Sequence, residues 1–167
     1  MGNVGFARNA TTKAITVVVS EASLSLGDGT TTLATVTVSS GALLITPTGL
    51  AGSVRAGLAL SPSLSSTFSL EAEVLLQINT TPSAVNQTLN IGGIEATISV
   101  PKNTLRVQVG MADQPAKVTL FGQTLSGVVL FEQTRTAAGA KVVRLGFTGV
   151  SLFLGDPGSL ATTADDV

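Results

Sequence analysis

The chain has 167 residues, of which 44% are hydrophobic and 11% charged, with a net charge of −1. That length suits one domain with a core of its own, and the hydrophobic share excludes a disordered chain. Nine basic against ten acidic residues, with no basic cluster, argue against a nucleic-acid partner, and the absence of Cys, His, Trp and Tyr removes disulfides, thiolate and imidazole chemistry and most aromatic stacking.

No apolar run reaches the roughly 18–20 residues of a membrane helix, so no transmembrane segment is expected. Residues 1–12 form an N-terminal lead. "AITVVV" (Ala14 to Val19) follows Arg8 and Lys13 but is too short for the apolar region of a signal peptide, and it reads as a strand. Its apolar phase runs through Val17 and Val19 and then flips to Ala22, Leu24 and Leu26. A flip of phase within one strand implies a β-bulge or a crossing between sheets.

Two long strands follow. Leu50, Gly52, Val54, Ala56, Leu58 and Leu60 alternate with other residues, as do Phe68, Leu70, Ala72, Val74, Leu76 and Ile78. The second runs about twelve residues, roughly 40 Å at 3.3 Å per residue. Ser61 to Ser65, with Pro62, turns one into the other. "PKNT" (Pro101 to Thr104) is expected to close a hairpin that pairs Val100 with Leu105, Ile98 with Val107 and Ala96 with Val109. Gly122 and Gln123 are expected to close another, pairing Leu120 with Leu125 and Val118 with Gly127. A third turn over Thr136 to Ala140 leads into "KVVRLGF". No segment has helical spacing with caps.

The fold class is therefore all-β: antiparallel sheets of long amphipathic strands, sandwich-like or elongated. Ten to twelve strands are expected, with Phe68, Leu70, Val74, Leu76, Ile78, Ile98, Val107, Leu120 and Phe131 in the core. Sandwich, closed barrel and solenoid stay open.

The two ends of the chain resemble each other. Sliding the sequence along itself until Lys13 falls on Lys141 also sets Ser23 on Ser151, Leu24 on Leu152, Leu26 on Leu154, Gly27 on Gly155 and Asp28 on Asp156. The phase flip recurs at the same place, since Leu145 and Phe147 give way to Val150, Leu152 and Leu154. A tandem unit of about 128 residues accounts for both. Residues 13–140 then form one full unit, and 141–167 the first strand of a second copy plus a tail.

The phrases "ITPTGLAGSV" (Ile45 to Val54), "AVNQTLNIGG" (Ala84 to Gly93), "FGQTLSGVVLFEQT" (Phe121 to Thr134) and "KVVRLGFTGVSLFLGD" (Lys141 to Asp156) resemble the units of very large bacterial β-strand-repeat proteins. The resemblance implies a secreted or surface-bound protein and carries no catalytic motif with it.

Candidate sites are few. Asp28 and Asp156 each follow a Gly at a strand end and are the calcium candidates; an Asp-Gly turn explains Asp28 equally. Asp165 and Asp166 read as further oxygen donors or as a loose acidic tail. Glu71 and Glu73 share one strand face, where pairing with Arg55 or Arg106 competes with acid–base work. A Ser–Lys dyad would need Lys13, Lys102, Lys117 or Lys141, and nothing singles one out. Asn9, Asn79 and Asn86 stand in N-x-[ST] triplets. Thr30 to Thr32, Thr35 and Thr37 read as a half-exposed strand surface. No catalytic residue and no cofactor beyond calcium is expected, and the chain is not expected to be an enzyme. The reading is a structural module of an extracellular bacterial repeat protein. It would form a stalk, filament or adhesive surface layer by head-to-tail contact with copies of itself or adjacent units. The alternative is a binding module for a lipid or glycan.

Overall fold

Period-two alternation becomes strand throughout. The computed structural model describes residues 2–60, 68–136 and 138–154, and among these there are eleven strands and no helix. They are β1 (Asn3–Arg8), β2 (Ile15–Gly27), β3 (Thr32–Thr46), β4 (Gly49–Leu60), β5 (Phe68–Asn79), β6 (Val85–Ile91), β7 (Ile94–Val100), β8 (Thr104–Val109), β9 (Ala116–Leu120), β10 (Gln123–Arg135) and β11 (Lys141–Phe153). All but β6 and β7 form one antiparallel sheet in the order β1-β2-β3-β4-β5-β8-β10-β11. The slot between β5 and β10 is shared, because β9 also pairs with both. So β8 and β9 act as one strand interrupted by residues 110–115. Gly110 allows the interruption: its φ is +80°, and a Cβ there would lie 2.5 Å from the Ala116 nitrogen.

Residues directly opposite in an antiparallel pair share a face, so the register sorts the whole sheet. One face carries Gly5, Val18, Ala42 and Ala51; the other carries Val19, Val54, Leu76, Val107, Phe131 and Leu145. The β6–β7 hairpin lies over the first face. Ala96, Ile98 and Val100 of β7 bury against Val18, Ala42 and Ala51, with Leu44, Val85, Leu89, Ile91 and Ile94 packed around them. Burying Ile98, which is fully enclosed, contributes about 2–3 kcal/mol. At its far end the hairpin rests on Gly5, where a Cβ would come within 2.9 Å of the Ile91 side chain.

Asn79, 1% exposed, anchors the near end. Its amide nitrogen donates to the Ser83 and Val100 carbonyls, both at 3.0 Å. Its carbonyl accepts from the Thr81 N–H at 2.9 Å and the Thr81 hydroxyl at 2.7 Å. Every hydrogen-bonding site of the amide is thereby used.

Several expectations need correction. "PKNT" does not close a hairpin: β7 pairs with β6, while β8 pairs with β5 and β10. Ile98 and Val107 consequently belong to different layers. The Gly122 hairpin exists, but its turn is Phe121–Gly122 (φ +50° and +79°), which shifts the register to Leu120–Gln123 and Val118–Leu125. Of the nine expected core residues only Ile98 is buried. Phe68, Leu70, Val74, Leu76, Ile78, Val107, Leu120 and Phe131 all lie on the face without a hairpin, half-buried by their sheet neighbours or exposed. The turn placed at Ser61 to Ser65 lies outside the described residues.

Asn79→Ala removes four hydrogen bonds, three of them buried, and takes the side-chain donor from the Val100 carbonyl and the acceptor from the Thr81 N–H, while the Thr81 hydroxyl keeps the Ser83 carbonyl at 2.8 Å. An unfolding free energy lower by about 2–4 kcal/mol is expected in urea titration. A loss under about 0.5 kcal/mol, the range of an inert surface change, would show that the clasp does not hold the hairpin.

Candidate functional site

Away from the hairpin, the same face turns ionic. Opposite residues Gln77, Arg106, Glu132 and Arg144 form one cross-strand row. Glu132 bridges two guanidinium groups, Arg106 at 3.2 Å and Arg144 at 3.0 Å. Glu73 pairs with Arg55 at 3.3 Å, as the sequence suggested, and Glu71 stands opposite Lys117. Such pairs, part-exposed, contribute about 0–1 kcal/mol each. They keep the bare part of the sheet wetted rather than sticky.

Between these pairs and the loop 110–115 lies an open trough of about 780 Å³, lined by Thr35, Thr37, Arg55, Glu73, Asp113 and Lys117. The buried Met111 and its backbone bonds with Gln114 hold the loop as one wall. The trough offers hydroxyls and charges already engaged or well solvated. Among the described residues no three His, Cys, Asp or Glu side chains gather as a metal site.

Asp28 closes the β2–β3 turn. Its Oδ1 accepts from the Thr31 N–H at 2.7 Å and the Thr30 N–H at 2.9 Å. These two bonds, Thr31's first, hold its carboxyl below the ordinary value. Asp156, Asp165 and Asp166 lie outside the described residues. Of the N-x-[ST] asparagines, Asn79 is buried in its clasp, Asn9 accepts from the Thr11 and Thr12 N–H groups, and Asn86 is exposed on β6.

The sheet edges carry the most organised feature. Phe6 of β1 pairs with Val17 of β2, and Phe131 of β10 pairs with Leu145 of β11. Val17 and Leu145 stand at the same offset as Lys13 and Lys141, whereas that offset carries Phe6 to Thr134 and not to Phe131, so the likeness belongs to β2 and β11 and not to their hairpin partners. Glu21 (φ +53°) and Gly149 (φ +59°) stand at that offset too, and each sits where the apolar phase flips. At Gly149 the pairing with β10 slips between Ser126 and Val128. At Glu21 the adjoining slip is taken by β3, between Val38 and Ser40 against β4. β2 is interior, flanked by β1 and β3, whereas β11 is an edge whose one strand partner among the described residues is β10.

Sequence reasoning located the repeated strand and the flip. It missed β1, which lies inside the N-terminal lead, and the Arg106–Glu132–Arg144 row. The signal for that row was there: three opposite charges on the non-apolar phase of consecutive sheet strands. No helix among the described residues is long and apolar enough to cross a membrane. Comparison with protein-family models, curated proteins and solved structures finds no match.

The Asp28 carboxyl gives a pH test. Its folded pKa is depressed, so its contribution to stability is present above the unfolded value near 3.8 and is lost as pH falls through the folded pKa. Carboxyl-detected NMR titration is expected to give a midpoint below 3.8. Thr31→Pro, which removes the main donor, should return the midpoint toward 3.8.

Proposed function

We propose that the chain is a structural module of an extracellular bacterial repeat protein, which lengthens a stalk, filament or surface layer by continuing one β-sheet from unit to unit. The observation that carries this reading is the likeness of β2 and the edge strand β11, in which Val17, left-handed Glu21, Leu24 and Leu26 have Leu145, left-handed Gly149, Leu152 and Leu154 at one offset. Counting along the strand order, β11 stands six positions beyond β2. Six antiparallel steps are an even number, so β11 runs in the same direction as β2. Facing agrees as well: Val17 and Val19 share the hairpin-free face with their counterparts at the far end of the chain, Leu145 and Phe147. A strand equivalent to β3 would therefore meet on β11 the direction, facing and register that β3 meets on β2.

The resemblance of phrases such as "FGQTLSGVVLFEQT" to giant bacterial β-strand-repeat proteins supports a secreted or surface location. The engaged carboxylates and the lack of His and Cys support a mechanical rather than catalytic role. Unpaired edge backbone is costly to bury and ready to accept another strand.

The test is a chain in which residues 13–140 occur twice in succession before 141–167. Continuing the sheet adds six strand positions, about 29 Å at 4.8 Å per strand. Small-angle scattering should show the longest dimension rising by about that amount, with one cooperative unfolding transition. Two independent transitions and a flexible, beaded particle would refute sheet continuation.

A further inference from the structure

The sheet treats its two faces differently. On the hairpin side, residues are apolar where β6–β7 covers them and mixed where it does not, with ion pairs and hydroxyls among Leu75 and Leu130. Val18 and Ala42 lie under the hairpin; Arg55, Glu73 and Glu132 lie beyond it. The opposite face has no cover among the described residues, yet it is apolar across its full width. One row alone reads Val19, Val54, Leu76, Val107, Phe131, Leu145. Leu76 has strands on both sides and is still 41% exposed, and Leu145 is 61% exposed.

We infer that this face is the interface of a symmetric dimer, in which two copies of the chain pack sheet on sheet. Size favours it. Eight strands, separated by seven spacings of about 4.8 Å, by about 40 Å of strand give roughly 1,300 Å² on each copy. That is well above the roughly 300–600 Å² of the largest apolar patch on an ordinary monomer. Pairing two copies buries about 2,600 Å², in the range of obligate homodimers. A second copy would pack on this face at the usual sheet spacing of about 10 Å.

Charge sets the direction. Arg8, Arg135 and Lys141 are the face's ionised residues, all at the end where β1 and β10 finish. Asp28 turns the chain at the opposite end. A two-fold axis along the hydrogen-bonding direction brings Arg8 of β1 near the partner's Asp28 turn and keeps the cationic ends apart, whereas an axis along the strands stacks Arg8 of one copy on the partner's Lys141. A bilayer is the poorer cover. Burial in lipid would strand the open edges of β1 and β11 in hydrocarbon, and the chain has no Trp or Tyr for interfacial girdles.

The experiment is sedimentation equilibrium of the 167-residue chain, with anilinonaphthalene sulfonate fluorescence followed on dilution. The expected result is a dimer whose dye binding is low and rises as dilution separates the copies. Leu76→Glu combined with Val107→Glu should weaken association at least 100-fold while the circular dichroism stays β, since both positions are uncovered in the single copy. Val143→Pro, which removes an outward N–H from the β11 edge and keeps an apolar side chain on the face, should leave the dimer intact. A monomer at millimolar concentration overturns the inference. So does dye binding that is high and independent of concentration, or a dimer lost with Val143→Pro but kept with the double glutamate. Uptake of a monomeric chain by phosphatidylcholine–phosphatidylglycerol vesicles overturns it in favour of lipid. Because edge and face are altered separately, failure here is distinguishable from failure of sheet continuation.

Discussion

The side-chain amide of Asn79 decides which face of the sheet receives a second layer. β5 and β8 are antiparallel neighbours, so the segment between them leaves and returns at the same end of the sheet. A tight turn could join them. The chain instead sends out the β6–β7 hairpin, whose exit at Ser83 and return at Val100 are both held by the Asn79 amide nitrogen. With both feet fixed at one point, the hairpin can lie only across the adjacent strands toward β1, where Gly5 makes room for it. Four satisfied hydrogen bonds in a buried site also make the arrangement specific, because any other seating strands the same groups without partners.

From that placement follows the chemistry of each surface. The hairpin is too narrow to cover a sheet eight positions wide, so the covered face is divided. Under the hairpin the side chains are small and apolar, Ala42, Ala51 and Ala96 among them, which brings the layers close. Beyond it stand Arg–Glu pairs that water can reach. The uncovered face shows no such division. A domain is stable as two packed layers around an apolar interior, and here the larger apolar surface has no second layer among the described residues. The low charge of the whole chain is the compositional trace of this arrangement, since one face of nearly every strand carries no ionised group.

Alternation made the strands legible, and faces with them. β4 and β5 fall where period two places them, and the turn from Arg135 to Lys141 is where it was read. What alternation does not encode is partner choice. Ile98 and Val107 share a phase around a plausible turn, yet one strand leaves the sheet and the other stays in it. The deciding residue, Asn79, lies well upstream of both and stands out in sequence only by its N-x-[ST] triplet at the end of the second long strand. Nor does phase encode cover. Leu76 and Phe131 are on an apolar face, as read, but an apolar face is not a core until something packs on it. The phase flips were legible because a bulge shifts every later residue. Glu21 itself, in left-handed conformation without being glycine, carries no local sign of it.

The two proposed contacts lie on different surfaces, and their geometry makes them cooperative. Sheet continuation runs along the hydrogen-bonding direction and repeats every six strand positions, about 29 Å. It leaves the apolar face unbroken from one unit to the next, because direction and facing are preserved at β11. Two ribbons of such units would then pair face to face along their whole length, with the β6–β7 hairpins on the two outer surfaces. Each added unit extends the same interface at little further cost in translational freedom, so avidity rises steeply with unit number. A single copy would pair already, and a long array would pair far more tightly. The proposed consequence is a double-layered ribbon whose middle would be supplied by the face that each chain alone leaves open, with the smaller core under each hairpin outside it.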